Sequence, residues 1–336
     1  MAKTGGRQVN IGMGIEAIAS PGTAVAETIF LPWAEFSMQA VAEKALFNSS
    51  RGKRNMSSNS MIRRKYGQGS IGVIPNVKNA PYFFVLALGS LSTAANADAS
   101  GLVYDHTITV QNANATMKTA TLTVDDGSIQ TTQYLNTVCD ALSIEVSDEY
   151  AKMTAELIGQ FPGTDTQSVA YTSETEMAYH NLTVKFGTSL SNAASNSATP
   201  LKSFKLDIKN NVQLDEAFLS GSNEITDGAL VAGALQVTGS YSLHFSDTTE
   251  LAKYKANTKN ACIASFQGAA IGTAETEEIK INLGKLVLTA PPVEYNIDGL
   301  LILTQEFELE YGATDGDISV VVTNLVANAA GAAYGA

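Results

Sequence analysis

Apolar and polar residues alternate with a period of two along much of the chain. Phe204, Leu206 and Ile208 alternate with Lys205, Asp207 and Lys209, and Leu142, Ile144 and Val146 with Ser143, Glu145 and Ser147. The same holds for Leu235, Val237, Gly239, Tyr241 and Leu243, and for Phe307, Leu309 and Tyr311 between Glu306, Glu308 and Glu310. Such alternation predicts strands with one apolar and one polar face. Further strands are predicted over 107–110, 121–124 and 279–288. The Asp-Gly pairs at 126–127, 227–228, 298–299 and 315–316 lie between or beside these runs and predict turns.

A helical pattern is strong at two places. Asn79 as a cap and Pro81 in the first turn open a helix through Phe84 and Leu88 to a stop at Gly89. Asp247 with Glu250 resembles a capping arrangement ahead of Leu251 and Tyr254. The order of elements repeats. The first half reads strand 34–40, long loop, strand 69–74, helix near 80–88, strands, and a closing hairpin to Phe161. The second reads strand 203–209, long loop, strand 234–245, helix near 247–256, strands, and a closing strand to Tyr311. This order predicts an internal duplication with its boundary near 162–165. Residues 188–199, rich in Ser, Asn and Ala, predict a surface loop, and the small residues of 327–336 a flexible tail. The expected organisation is thus 1–165, 166–326 and the tail.

Composition narrows the class. With 336 residues, 45% of them hydrophobic, the chain is able to bury a sizeable core. Charged residues make up 16%, below the usual quarter or so, and Ser, Thr, Asn and Gln carry the polarity instead. The net charge of −12 argues against gripping nucleic acid, since phosphates are repelled. Cys139 and Cys262 sit in apolar strand-like runs and read as buried, reduced thiols. Residues 1–10 lack the apolar core of a signal peptide, and the longest apolar run, 82–88, is too short to span a bilayer. A soluble, cytoplasmic product is expected.

Candidate chemistry is sparse. Gly12-Met13-Gly14-Ile15-Glu16-Ala17 follows an apolar run as a dinucleotide fingerprint would, but Pro21-Gly22 stops any helix that would carry the pyrophosphate. Residues 67–72 repeat the glycine spacing and lead into a strand. His106, His180 and His244 have no metal-ligand neighbours at useful spacing. No catalytic, cofactor or metal site is expected. The sharpest local feature is the stretch 51–65, where Arg51, Lys53, Arg54, Arg63, Arg64 and Lys65 supply six of the 21 basic residues without one acid. It reads as a solvated loop, as a nucleic-acid patch lacking the usual aromatics, or as a segment docking on the acidic surface of a neighbouring copy; the last is preferred. Glu306, Glu308 and Glu310 repel one another and must face water. They form an exposed sheet face or the wall of a water-filled channel for a polyanion, joined by Glu145 and Glu156.

Gly14-Ile-Glu16 with 21–25 and 30–32, the stretch 201–212, the strand 235–243 and the closing 318–324 together resemble segments of the tail tube proteins of long-tailed, siphovirus-like bacteriophages. The resemblance spans most of the chain and rests on structural rather than catalytic motifs. It implies a mainly β fold of two tandem tube-type β-sandwich or barrel domains, each with a short flanking helix. It further implies a ring with a continuous inner β-barrel, and a long loop that packs onto the next ring. The loop 47–66 occupies that place in the first half and 212–228, with Asp215, Glu216, Glu224 and Asp227, in the second, so the two loops are expected to meet different partners. A duplicated chain closes a six-domain ring with three copies, and a single-domain reading with six. The implied partners are copies of itself, the tape measure, initiator and terminator proteins, and viral DNA passing without specific binding. The implied location is the virion tail, assembled in the bacterial cytoplasm. The alternatives are a β-rich surface adhesin or decoration protein that binds a ligand, and a cofactor enzyme built on residues 12–17.

Overall fold

The computed structural model describes residues 6–47, 59–111, 117–127, 129–147, 149–172, 175–218, 223–225, 230–244, 249–290, 293–294, 301–310, 317–327 and 334–335. The chain opens with β1 (Asn10–Ile15), β2 (Ile29–Phe30), β3 (Trp33–Phe36), β4 (Gln39–Phe47) and β5 (Asn59–Val73). Helix α1 (Ala80–Leu88) leads into β6 (Gly89–Ala95), β7 (Tyr104–Val110), β8 (Ala120–Asp125), β9 (Thr131–Val146), β10 (Ala151–Gly159) and β11 (Gly163–Thr164). Then come β12 (Leu182–Gly187), α2 (Leu190–Ser195), β13 (Ser203–Lys209), β14 (Gln236–His244) and α3 (Thr249–Lys255). The chain closes with β15 (Asn260–Ile271), β16 (Glu275–Ala290), β17 (Val293–Glu294), β18 (Ile302–Leu309) and β19 (Ile318–Asn324). All strand pairs between these elements are antiparallel, which is how alternating, one-face-buried strands are accommodated.

The pairing order repeats. In the first half β3 and β4 pair with β5, β5 with β10, and β10 with the C-terminal part of β9. In the second half β13 pairs with β14, β14 with β18, and β18 with the C-terminal part of β16. The N-terminal part of each long strand joins a further set: β1–β8–β9–β11 in one half, β12–β15–β16–β19 in the other. Strand β9 then pairs with β13, so the two halves share one sheet. The β6–β7 hairpin departs from the repeat, because it belongs to the first half by sequence yet pairs with β19.

One apolar cluster includes residues of both halves, among them Ile11, Phe83, Leu142, Phe204, Phe307 and Val320. The alternation of Leu142, Ile144, Phe204, Leu206 and Phe307 points these side chains into it, as the period-two pattern requires. All nine residues of α1 are buried, and the helix lies against β6, β7 and β9. A helix apolar on every side is stable only inside a core. Its stop is Gly89, whose φ of 94° is a left-handed conformation that suits glycine.

Several expectations are corrected. The cationic stretch is only partly a loop: Arg63, Arg64 and Lys65 lie in β5, which extends ten residues beyond the expected start at 69 and pairs with β4 as a long ribbon. Arg51, Lys53 and Arg54 lie outside the described residues, as do the Asp-Gly pairs at 227, 298 and 315 and the cap residue Asp247. Residues 188–199 contain the short helix α2, because the Ser189 hydroxyl accepts a hydrogen bond from Asn192 N and caps it. Asn79 does not cap α1 with its side chain; its amide oxygen accepts from Asn76 N and its amide nitrogen donates to Ile74 O, fixing the turn before the helix. Of the expected tail, 328–333 and 336 lie outside the described residues; Tyr334 is buried beneath Tyr82 and His106, with ring centroids 5.0 and 4.9 Å away.

Candidate functional site

The glycine motifs at 12–14 and 67–72 lie within strands β1 and β5. Gly12 and Gly14 stand inside β1, where a side chain would collide with Glu27 and with the backbone of residue 26, so close strand packing explains them. Glu16, just beyond, is a buried carboxylate. It accepts hydrogen bonds from Gly22 N (2.7 Å), the Thr119 and Thr121 hydroxyls (2.7 and 3.0 Å) and Asn136 N (3.0 Å), tying the first loop to β8 and β9. His106 is a satisfied core histidine between Thr93 (2.9 Å) and Asn324 (3.0 Å), and burial holds its imidazole below the usual pKa. Cys139 and Cys262 are buried free thiols whose pKa is pushed up by burial. Among the described residues, no group of His, Cys, Asp and Glu is placed to hold a metal.

The β4–β5 ribbon is the most distinctive surface. Toward its far end, Leu46, Phe47, Met61 and Ile62 are exposed by 65, 45, 54 and 36%. By register Leu46 and Ile62 lie on one face of the ribbon and Phe47 and Met61 on the other, so this end exposes apolar surface on both faces. The sequence signal was present as two apolar pairs flanking the cations, and the charge run overshadowed it. The cations near the base meet acids of their own chain. Arg63 pairs with Glu43, which also accepts from Tyr66 at 3.1 Å, and these contacts, Arg63 first, hold the Glu43 carboxyl below its usual pKa. Arg64 lies 2.5 Å from Asp215 and 4.9 Å above the Phe218 ring; Lys65 lies 2.9 Å from Glu224. The two long loops expected to meet different partners therefore meet each other. Exposed pairs of this kind are screened by water and stabilise weakly, so they orient the ribbon more than they hold it.

The second surface is the polar face of the shared sheet. In register across it, Lys152 stands opposite Glu145, Glu145 opposite Lys205, Lys205 opposite Ser240, and Ser240 opposite Glu306. Lys152 also reaches Glu35 at 2.6 Å. Thr154, Ser143, Asp207, Thr238 and Glu308 form the next row. Four of the five expected wall residues, Glu145, Glu156, Glu306 and Glu308, are exposed on this face. Glu310 differs: it lies just past β18 between Lys259 and Lys285, both at 2.9 Å, and these cations hold its carboxyl below the usual pKa. The face is thus charge-balanced around Glu145 and acidic at Glu306 and Glu308.

A clamp that the sequence did not signal joins the halves. Asp98, in the β6–β7 turn, accepts from Ser100 N and from Thr273 N and Ala274 N in the β15–β16 turn, at 2.8–3.1 Å. Hydrogen bonds from Ser100, then from Ala274 and Thr273, hold its carboxyl down at a pKa of about 2.

The chain lacks a described helix long and apolar enough to cross a membrane. It matches the family model for phage tail tube protein over residues 6–329. No curated protein matches it in sequence. A β-rich subunit with an exposed apolar ribbon and a broad polar sheet face accords with that match: this chain belongs to the phage tail tube protein family, structural components of the virion tail that assemble with copies of themselves and with other tail proteins.

Proposed function

We propose that the chain polymerises as stacked rings, three copies to a ring, forming the tube through which phage DNA is ejected. The observation that carries this reading is the junction between β9 and β13. Each half has the same four-strand order, and the last strand of the first set pairs with the first strand of the second. Repeating that junction from β16 of one copy to the β3–β4 edge of the next adds no new geometry. It continues the sheet until the ring closes and leaves no open edge. In this reading 1–165 and 166–326 are two tube-type domains and 327–336 is a C-terminal tail anchored at Tyr334.

The polar face then lines the bore. Glu145, Glu156, Glu306 and Glu308 present acid to passing phosphates, which repels rather than grips them. Glu310 contributes less, because its charge is met by Lys259 and Lys285. The ribbon docks on the next ring through Leu46, Phe47, Met61 and Ile62, while Arg63, Arg64 and Lys65 serve the chain itself. In the sequence, Arg51, Lys53 and Arg54 fall between the apolar pairs 46–47 and 61–62. Tape measure, initiator and terminator proteins meet the tube along its bore and at its ends. Assembly takes place in the host cytoplasm.

Negative-stain electron microscopy of concentrated protein tests the reading. Hollow tubes of uniform width are expected. A monodisperse monomer at every salt and protein concentration, even with tail-tip initiator added, contradicts it.

A further inference from the structure

The β4–β5 ribbon and the segment between β13 and β14 occupy equivalent places in the repeated strand order, yet they differ in form. The first is an extended paired ribbon. The second, in its described part, holds a short turn of helix at Leu214–Ala217 and lies against the base of the ribbon. It grips that base in four ways. Arg64 pairs with Asp215, and Lys65 with Glu224. Lys65 N donates to Asn223 O at 2.7 Å. The Phe218 ring lies under the Arg64 guanidinium and edge-on to Tyr66, with centroids 6.2 Å apart. Beneath these contacts, Tyr66, Val138, Ile158, Ala217, Ile225 and Leu230 form a small apolar cluster separate from the main core.

We infer that residues 212–218 and 223–225 are a brace that sets the direction of the ribbon before a second copy binds. This rests on the reading of the ribbon as the docking element between rings. A two-stranded ribbon leaving its sheet is marginally stable alone and samples many directions. Docking it from that ensemble loses conformational entropy at the moment of contact. The grip on Arg64, Lys65 and Tyr66 restricts the ribbon at its base, so its apolar end arrives oriented. The duplication thus has a division of labour: one loop docks, and its counterpart aims it. Two of the four contacts are exposed ion pairs, so the aim weakens with salt. Salt then slows stacking although the docking contact itself is apolar.

Hydrogen exchange of the ribbon amides 41–47 and 60–66, in dilute chain below its polymerisation threshold, tests the brace independently of assembly. Glu224→Lys sets a cation against Lys65, and exchange is expected to quicken roughly fivefold. Restoring the pair in reversed order, Lys65→Glu with Glu224→Lys, returns exchange to the starting rate. Phe218→Ala loosens the ribbon without a change of charge. Assembly rates at fixed concentration follow the same order. Unchanged exchange in both Glu224→Lys and Phe218→Ala overturns the brace. Faster exchange with unaltered assembly overturns the link to docking while leaving the tube reading intact. If no form of the chain polymerises, the tube reading fails, and the exchange data still decide the brace.

Discussion

In the first half of the chain β4 and β5 form a ribbon with an apolar end; in the second half the described residues between β13 and β14 lie against the base of that ribbon. The helices differ in the same sense. Helix α1 is buried on every side, whereas Leu251 and Tyr254 of α3 are half-buried. The outer edges differ too, since the first half sends β6–β7 across to cover β19. The strand order is the same in both halves, where a slip of register would turn an apolar face to water. The connections between strands are free to diverge, because a surface loop needs only solvated or paired backbone. In the proposed reading one half supplies the contact surface and the other its support.

The largest expected effect lies in the helices. Phe84→Ala, inside α1, is expected to destabilise the chain by about 3–5 kcal/mol in urea denaturation, and Tyr254→Ala by less than half of that, since it is already half wet. Equal losses would erase the distinction between the two helices. Next comes the ribbon. Replacing Leu46, Phe47, Met61 and Ile62 with Ser is expected to abolish tube formation while the folded subunit stays within about 1 kcal/mol of its stability, because those side chains are already exposed. Replacing Arg63, Arg64 and Lys65 with Ser slows stacking by a smaller factor, read as turbidity growth. If the cation variant is the more damaging of the two, the docking contact is ionic and the assignment here is reversed.

The clamp at Asp98 gives a pH dependence. Its folded-state pKa of about 2 lies below the free value of 3.8, so its contribution is complete above pH ~4 and is lost as pH falls through about 2. Protection of Thr273 N and Ala274 N, taken as exchange relative to an unstructured amide at the same pH, should fall across that window and be low at all pH values in Asp98→Ala. Protection that stays constant from pH 5 to 2 counts against the clamp. The smallest effect on assembly belongs to the polar face. Glu306→Gln with Glu308→Gln should leave tubes intact and slow DNA passage in an ejection assay, while Glu145→Gln, between two lysines, changes passage less. Tubes lost in the double variant would place that face in a contact instead of the bore.

Much of the sheet was legible because one-sided burial imprints a period of two; β13 matches its expected span of 203–209. Helix α1 was legible from Pro81 and Gly89, which bound an apolar run whose periodicity alone is ambiguous. The N-terminal extension of β5 was not legible, since a ribbon wet on both faces carries no alternation. Helix α2 hid in loop-like composition, held by one capping serine. The candidate site was half visible. The cations of 63–65 stood out, but the acids of Arg64 and Lys65 lie 151 and 159 residues away, and no local pattern encodes such a pairing. Asp98 stayed hidden for the same reason, its partners being 175 and 176 residues distant.

The repeated strand order and the β9–β13 junction stand or fall on how many chains close a ring. Electron cryomicroscopy of assembled tubes measures this directly. The account predicts three chains per ring, with β16 of each chain paired to the β3–β4 edge of the next and the polar face inward. Six chains per ring, or copies joined through any other edge, would contradict it.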